Sequence, residues 1–303
     1  MKFALIIPTR NAGKEWETSI ASIRQQSLQP DSVLIVDSSS EDLTVQASER
    51  AGFSVHIIPV GEFDHGATRQ KATELCPGHD IYLFLTQDAI PADPDAFKNI
   101  IKAFENDHVG MAYGRQLPRH GAGLIESHAR YFNYPEKSNV RSIADKDQFG
   151  MKTVFASNSF AAYRISALRD VCGFPSDSIV SEDMYVAAKM LWKGWFLAYC
   201  ANACVYHSHG YSLVQEFGRY FDIGVFNSRE PWVRIEFGGA ESEGSRFVKS
   251  EVNFLFKKSP WLIPEALLRT VLKFLGYRLG LLESRIPRGI CQAVSMQKHY
   301  WRE

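Results

Sequence analysis

The stretch YLFLTQDAIP, Tyr82 to Pro91, reads as a buried strand that ends on a single carboxylate, Asp88. The apolar run Ile81–Leu85 stops at Thr86 and Gln87, and a helix is announced directly behind. Asp93 stands where an N-cap belongs and Pro94 where the first helical residue tolerates a missing N–H. Phe97, Ile100, Ile101 and Phe104 then recur at helical spacing. Three earlier runs repeat the unit: Phe3–Ile7, Val33–Val36 and Val55–Ile58, with Trp16, Ile20 and Ile23 on one helical face between the first two. Such continuous runs belong to strands buried on both sides. The expected fold class is therefore α/β, with a mostly parallel central sheet flanked by helices.

From about Gly114 to Lys152 the pattern dissolves into polar, Gly- and Pro-containing sequence, expected to be loops carrying a strand or a short helix. Order returns with Val154–Tyr163, a Gly-Phe-Pro turn at 173–175, a helix from about Glu182 to Lys193 and strand material over Phe196–His207. After Leu213 the chain reads as mainly helical. The formal net charge is zero, yet Arg246–Glu303 holds 11 Lys/Arg against 4 Asp/Glu. A basic tail on an acidic body points to an anionic surface, membrane or nucleic acid. MKFALIIPTR is too short and too quickly polar for a secretory signal. No run approaches the roughly 18 apolar residues of a spanning helix. Five cysteines, Cys76, Cys172, Cys200, Cys204 and Cys291, form no CxxC pair, which fits a reducing cytoplasm and buried thiols.

In an open parallel sheet, ligands bind beyond the carboxyl ends of the strands. The first strand is followed by Pro8, Thr9, Arg10 and Asn11, the second by Asp37, Ser38, Ser39 and Ser40, and the fourth by Thr86, Gln87 and Asp88. Any one of these groups is an ordinary turn or cap; three on one edge make a candidate site. SEDMY adds Glu182 and Asp183 at a helix start, where the dipole alone would favour acids. VYHSHGYS adds His207 and His209, which share one face if the backbone is extended. A zinc reading of Cys200, Cys204, His207 and His209 is weighed and set aside: on one strand the cysteines and histidines face opposite ways.

Together these residues resemble family 2 inverting glycosyltransferases of the GT-A fold. Within that family they are similar to bacterial rhamnosyltransferases of O-antigen and other surface polysaccharide, which use dTDP-L-rhamnose. The matching elements are IIPTRN, VLIVDSSSED, FDHGATRQKA, FLTQDAIP, SNSFAAYR, SEDM and HSHGYS, with RYFDIGVF at Arg219–Phe226. The resemblance implies a catalytic domain over 1–213, divided into a nucleotide-sugar half of about 1–113 and an acceptor half of about 114–213. A mainly helical region over 214–303 would follow. It further implies that Pro8, Thr9, Arg10, Asp37, Ser38, Asp64, Gly66, Arg69, Thr86, Gln87 and Asp88 bind the nucleotide sugar. Asp88, with His207 and His209, would hold Mg2+ or Mn2+. Asp183, with Glu182 beside it, would be the base, and Asn158 and Ser159 would meet the acceptor. One departure stands out: Thr86 occupies the place of the first Asp of the usual DxD motif.

The chemistry explains these residue types. A divalent cation can neutralise a departing diphosphate while accepting few protein ligands, so a lone carboxylate suffices when substrate oxygens complete the shell. An added imidazole tilts the preference toward manganese. The acceptor hydroxyl needs a base, worth about 10²–10⁴-fold. A sugar-nucleotide pyrophosphorylase would want a Gly-rich loop after the first strand, which PTRNAGK does not supply. A non-catalytic scaffold on a transferase fold is encouraged only by Thr86. The implied partners are the sugar nucleotide and a polyprenyl-diphosphate-linked oligosaccharide acceptor, with no nucleic acid, and the implied location is the cytoplasmic face of the inner membrane. In KKSPWLIPEALLRTVLKFLGYRLGLLESRIPR, an apolar stripe of Leu267, Leu268, Val271, Leu272, Leu275, Leu279 and Leu282 runs among Arg269, Lys273 and Arg278. It is either a helix packed on the core or one lying on anionic lipid with Trp261, Lys257 and Lys258 as anchors.

Overall fold

The computed structural model describes residues 1–239 and 241–301. The chain opens with β1 (Phe3–Thr9), α1 (Glu15–Arg24), β2 (Ser32–Asp37), α2 (Thr44–Arg50), β3 (Ser54–Ile57), α3 (His65–Leu75) and β4 (Ile81–Leu85). The four strands pair in parallel in the order β3–β2–β1–β4. Next come β5 (Ile90–Pro91), α4 (Ala96–Ile101), β6 (Val109–Leu117), α5 (Leu124–Asn133), β7 (Asn139–Arg141) and α6 (Lys146–Phe149). β8 (Phe160–Arg164), α7 (Ile165–Asp170), α8 (Glu182–Trp192) and β9 (Phe196–Tyr206) complete the sheet and its cover. The sheet continues from β4 through β8, β6 and β9 to β5, with β7 also on β9. β8 is antiparallel to both its neighbours, and β6 and β9 run with β1–β4, so six of the nine strands share one direction. Their carboxyl ends lie along one edge.

Alternation along β1 shows why the sheet is a middle layer. Phe3, Leu5 and Ile7 join a core with Trp16, Phe97 and Ile100, whereas Ala4 and Ile6 join the opposite core with Phe174, Val186 and Phe221. That second core reaches into the C-terminal helices α9 (Leu213–Arg229), α10 (Pro231–Phe237), α12 (Ile263–Gly280) and α13 (Arg288–Val294), while α11 (Glu241–Lys258) packs on α5 and α12. The expected division near residue 113 falls inside β6, so both halves share one sheet.

Three local expectations change. β3 is a half-exposed edge strand with Ile57 56% exposed, because only one neighbour covers it. α4 starts at Ala96: the Asp93 carboxylate accepts from the Asp95 N–H at 2.9 Å and forms a turn ahead of the helix. The stretch from Gly114, expected as loops carrying a strand or a short helix, is ordered from its start: it opens with the end of β6, whose Gly114 is needed because a Cβ would lie 2.2 Å from the Phe160 ring.

Candidate active site

Thr9 ends β1 and Asp37 ends β2, and the Thr9 hydroxyl donates to Asp37 Oδ2 at 2.7 Å. Asp37 is fully buried and also accepts from the Ser40 N–H and hydroxyl at 2.7 and 2.6 Å. Its charge therefore organises the loop after β2. The Ser38 N–H donates to the Thr9 carbonyl at 2.8 Å, closing the same edge. Gln87 clips β4 to β1, accepting from the Arg10 N–H at 2.7 Å and donating to the Arg10 carbonyl at 3.1 Å. Pro8 precedes this clip, and the Arg10 side chain is exposed at the rim. Non-glycine residues take left-handed backbone at three edges of the site: Asn11, Ser39 and Ser181, with φ of 46°, 55° and 65°. Such conformations persist where surrounding bonds enforce them.

Asp64 caps α3, accepting from the Gly66 and Ala67 N–H groups at 2.9 and 2.6 Å. Gly66 is required because a Cβ there would lie 1.9 Å from the Pro175 carbonyl oxygen, so the Gly-Phe-Pro turn sits directly on this helix start. One turn on, Arg69 is buried and pairs with Glu182 at 3.0 Å. Glu182 also accepts from Asn158 Nδ2 at 2.8 Å. Burial opposes its charge, but Arg69, then His65 and the Asn158 hydrogen bond, hold its carboxyl below the usual range.

Asp183 differs from its neighbour. It accepts from the Asn158 N–H at 3.0 Å and from the Met184 N–H at 2.8 Å, while part of it stays open to solvent. Protein surrounds it closely enough that burial, and then the Glu182 charge, raise its carboxyl above the usual range. Two adjacent acids pushed apart in this way are an acid–base signature: one is held as a fixed anion, the other becomes able to take a proton near neutrality. Asn158 holds both, and its Oδ1 accepts from the Tyr163 hydroxyl at 2.6 Å. Both polar ends of the Asn158 side chain are thus occupied within the protein.

Asp88, after β4, meets His207 Nε2 at 3.4 Å and His209 Nε2 at 3.6 Å, the histidines following β9. Among the described residues these three form the one group whose ligand atoms lie close enough for a shared metal, within 4.8 Å of one another. Gln116, at the end of β6, fixes the chemistry of His207. Its Nε2 donates to Ser157 Oγ at 2.9 Å, which turns its Oε1 to His207 Nδ1, also at 2.9 Å. The His207 proton therefore sits on Nδ1, and Nε2 turns a lone pair toward Asp88. Burial opposes the charge of Asp88, but the hydrogen bond and charge of His207, then the charge of His209, would hold it well below the carboxylate range. The same burial lowers His207, and it lowers His209 to about 4. The two tendencies conflict: Asp88 needs positive charge beside it, burial removes the protons by which the histidines would supply it, and the Arg119 guanidinium stands no nearer its carboxylate than 3.8 Å. We take both histidines as neutral because burial disfavours their charged form, and the Gln116 acceptor then keeps the His207 proton on Nδ1. A divalent cation resolves the conflict, and one carboxylate with two imidazoles suits Mg2+ less than Mn2+. The residues present fit a metal.

Asp88 also receives Arg119, whose Nη2 donates to the Asp88 carbonyl at 2.6 Å and stands 3.8 Å from Oδ2, while Nη1 pairs with Glu15 at 3.2 Å. Thr86 sets a buried hydroxyl beside Asp88, whose charge it helps to hold. Its N–H donates to the Ser159 carbonyl at 3.2 Å, and Ser159 accepts from Ser157 at 3.3 Å. A continuous path thus runs from His207 through Gln116 and the 157–159 segment to Glu182 and Asp183. Cys204 points elsewhere, donating to the Ala201 carbonyl at 3.2 Å, and burial pushes the Cys200 thiol up to about 12. The sequence reading missed Gln116, Arg119 and Tyr163. The signal for the first two was a polar pair at the end of an unrecognised strand; Tyr163 sits inside an apolar run and gave none.

Residues 4–172 match the Glycosyl transferase family 2 profile. The chain belongs to glycosyl transferase family 2. This glycosyltransferase is 49% identical over 302 residues to the O-antigen chain rhamnosyltransferase RfbN of Salmonella typhimurium, covering 99% of this chain and 96% of that one. It is 46% identical over 300 residues to the O-antigen chain rhamnosyltransferase WbaN of Salmonella anatum, covering 99% and 95%. Its fold is similar to that of a mannosyltransferase from Pyrobaculum calidifontis, solved with GDP-Man and Mn2+, at TM-score 0.56 and 18% identity over 99% of this chain and 84% of that one. It is likewise similar to residues 1–349 of TarS from S. aureus, at TM-score 0.57 and 16% identity over 94% and 91%. The fold is therefore GT-A, and the transferase carries a helical C-terminal region.

Proposed function

We propose that this glycosyltransferase moves L-rhamnose from dTDP-L-rhamnose, with inversion, to a hydroxyl of a polyprenyl-diphosphate-linked oligosaccharide. The observation that carries the reading is the meeting of Asp88 with His207 at 3.4 Å on the strand-end edge, joined by hydrogen bonds to the Asp183 pocket. The likeness to two Salmonella O-antigen chain rhamnosyltransferases supports the rhamnosyl donor and a place in O-antigen synthesis. Asp88, His207 and His209 would hold Mn2+ or Mg2+, which when bound neutralises the diphosphate and acts as a Lewis acid. Arg119 sets a fixed positive charge at the same mouth. Thr9, Asp37 and Ser38 shape the nucleotide end, with Pro8, Arg10 and Gln87 at its rim; Asp64 and Gly66 hold α3 so that Arg69 reaches Glu182.

Asp183 accepts the acceptor proton as the hydroxyl oxygen bonds to the anomeric carbon. The bond from that carbon to the diphosphate oxygen breaks with its electron pair, and Asp183 leaves the step as a carboxylic acid. One displacement inverts the centre, as in inverting glycosidases. Glu182 and Asn158 position Asp183, and Ser159 stands where the acceptor enters. The enzyme works as a peripheral protein at the cytoplasmic face of the inner membrane, where such an acceptor is presented.

The test is incubation with dTDP-L-rhamnose and with uridine and guanosine sugar nucleotides, plus manganese, reading free nucleoside diphosphate. The expected result is release from the thymidine donor, increased by the lipid-linked acceptor. Preference for another nucleotide overturns the donor. Pyrophosphate-dependent triphosphate formation would favour the pyrophosphorylase, and silence with every donor the scaffold.

A further inference from the structure

Helix α12 is built inside out. Toward α9 it turns Gly276 and Gly280, both buried. A Cβ on Gly276 would lie 2.4 Å from the Phe217 carbonyl oxygen, and one on Gly280 would lie 2.1 Å from that of Phe221. On α9, Gly224 answers, with its added Cβ 2.3 Å from the Tyr277 carbonyl oxygen. The result is a small-residue seam that brings two backbones together without large side chains between them, as helices do in lipid. The charges also turn inward: Arg269 and Lys273 pair with Glu216 of α9 at 2.9 and 3.2 Å. What remains outside is Leu267, Leu268, Val271, Phe274 and Leu275, each exposed by 44–60%. A surface helix ordinarily does the reverse. A contiguous exposed apolar face of this kind marks a surface covered in use.

We propose that this face of α12 lies on an anionic lipid bilayer, its leucines and Phe274 among the acyl chains and neighbouring basic side chains at the headgroups. Charge complementarity selects this occupant. The turn that enters α12 carries Trp261, 74% exposed, just after the exposed Lys257 and Lys258, and Arg278 is exposed at the far end. The one acid near the start of the stripe, Glu265, pairs with Arg269 at 2.8 Å. An apolar face flanked by lysine, arginine and tryptophan is the composition of an interfacial helix. A second copy meeting the same face about a two-fold axis would bring these basic groups against their own copies, which repel. The inference deepens the proposed function, resting on its membrane-borne acceptor for purpose, though its physics is independent of the donor.

The test floats the full chain with vesicles of phosphatidylethanolamine and phosphatidylglycerol, and separately with phosphatidylcholine alone, alongside light scattering of the free protein. The wild type is expected to float with the anionic vesicles and to release at high salt. Leu268→Glu with Phe274→Glu should weaken partition at least about tenfold. Lys257→Ser with Lys258→Ser should weaken it at least about fivefold on the anionic vesicles only. Both variants change exposed side chains and should release nucleoside diphosphate from donor in solution at the wild-type rate. Failure of the wild type to float, equal flotation of both variants, or a wild-type dimer that the Glu variant dissociates would each overturn the proposal. Absence of donor hydrolysis in the wild type would sink the proposed function and leave the flotation result standing.

Discussion

With Asn158 Nδ2 on Glu182 and its N–H on Asp183, Asp183→Asn should leave the pocket assembled and remove only the proton acceptor. The expected loss is about 10²–10⁴-fold in transfer, with donor binding by calorimetry unchanged. Because burial and the Glu182 charge raise Asp183, the proposed base protonates at a higher pH than an ordinary carboxylate. The rate should therefore fall on the acid side nearer neutrality than for an unperturbed aspartate. Glu182→Gln removes one of the two causes, so this limb should move to lower pH while the maximal rate drops; a limb that stays in place would assign it to another group. Gln116→Leu keeps the volume of a residue 2% exposed but frees the His207 tautomer. Manganese affinity should fall about 10–100-fold, and the buried Ser157 and His207 groups left without their partner should cost about 1–3 kcal/mol of stability. At this scale the sequence marked Asp88, Asp183 and His207 as candidates, since they stand at strand ends and a helix start. It could not expose Gln116, because its role exists only where β6 lies between β8 and β9.

Helix α3 and helix α8 are fastened by one buried ion pair, Arg69 to Glu182, with side chains 5% and 7% exposed. Arg69→Ala would leave Glu182 buried and unpaired, costing about 3–5 kcal/mol in urea unfolding. Arg69→Met with Glu182→Gln should recover part of that loss, since removing both charges is far less costly than removing one. Gly280→Ala would drive a methyl toward the Phe221 carbonyl and separate α12 from α9, costing about 1–3 kcal/mol by the same measurement. Element types were legible wherever apolar periodicity was strong, as in β1, β4 and α8. At β3 the strand was legible but its burial was not, because the edge leaves it half bare, and the end of β6 was not placed, because its glycine and glutamine resemble a loop. The outward face of α12 was undecidable from periodicity alone. A leucine stripe packs on a core or faces lipid with the same spacing, and the choice fell to Gly276 and Gly280 finding the α9 backbone.

The molecule as a whole is one twisted sheet whose strand carboxyl ends open on one edge, with two apolar cores behind it. The candidate metal ligands lie on that edge rather than in either core, so chelation should abolish transfer while leaving circular dichroism unchanged. Metal and nucleoside diphosphate together should raise Tm more than either alone, by mass action on a site that each completes for the other. Among the described residues no helix is long and apolar enough to cross a membrane. The sequence by itself determined the α/β class, the strand ends where the candidate site assembles and the basic bias of the C-terminal region, because these follow from local periodicity, caps and charge. Only the tertiary structure decided that Glu182 is a fixed anion and Asp183 the poised one, that Gln116 sets the His207 tautomer, and that α12 turns its leucines outward. Each depends on which groups, tens of residues away along the chain, come to lie within a few ångströms, and desolvation and hydrogen bonding act over that distance alone.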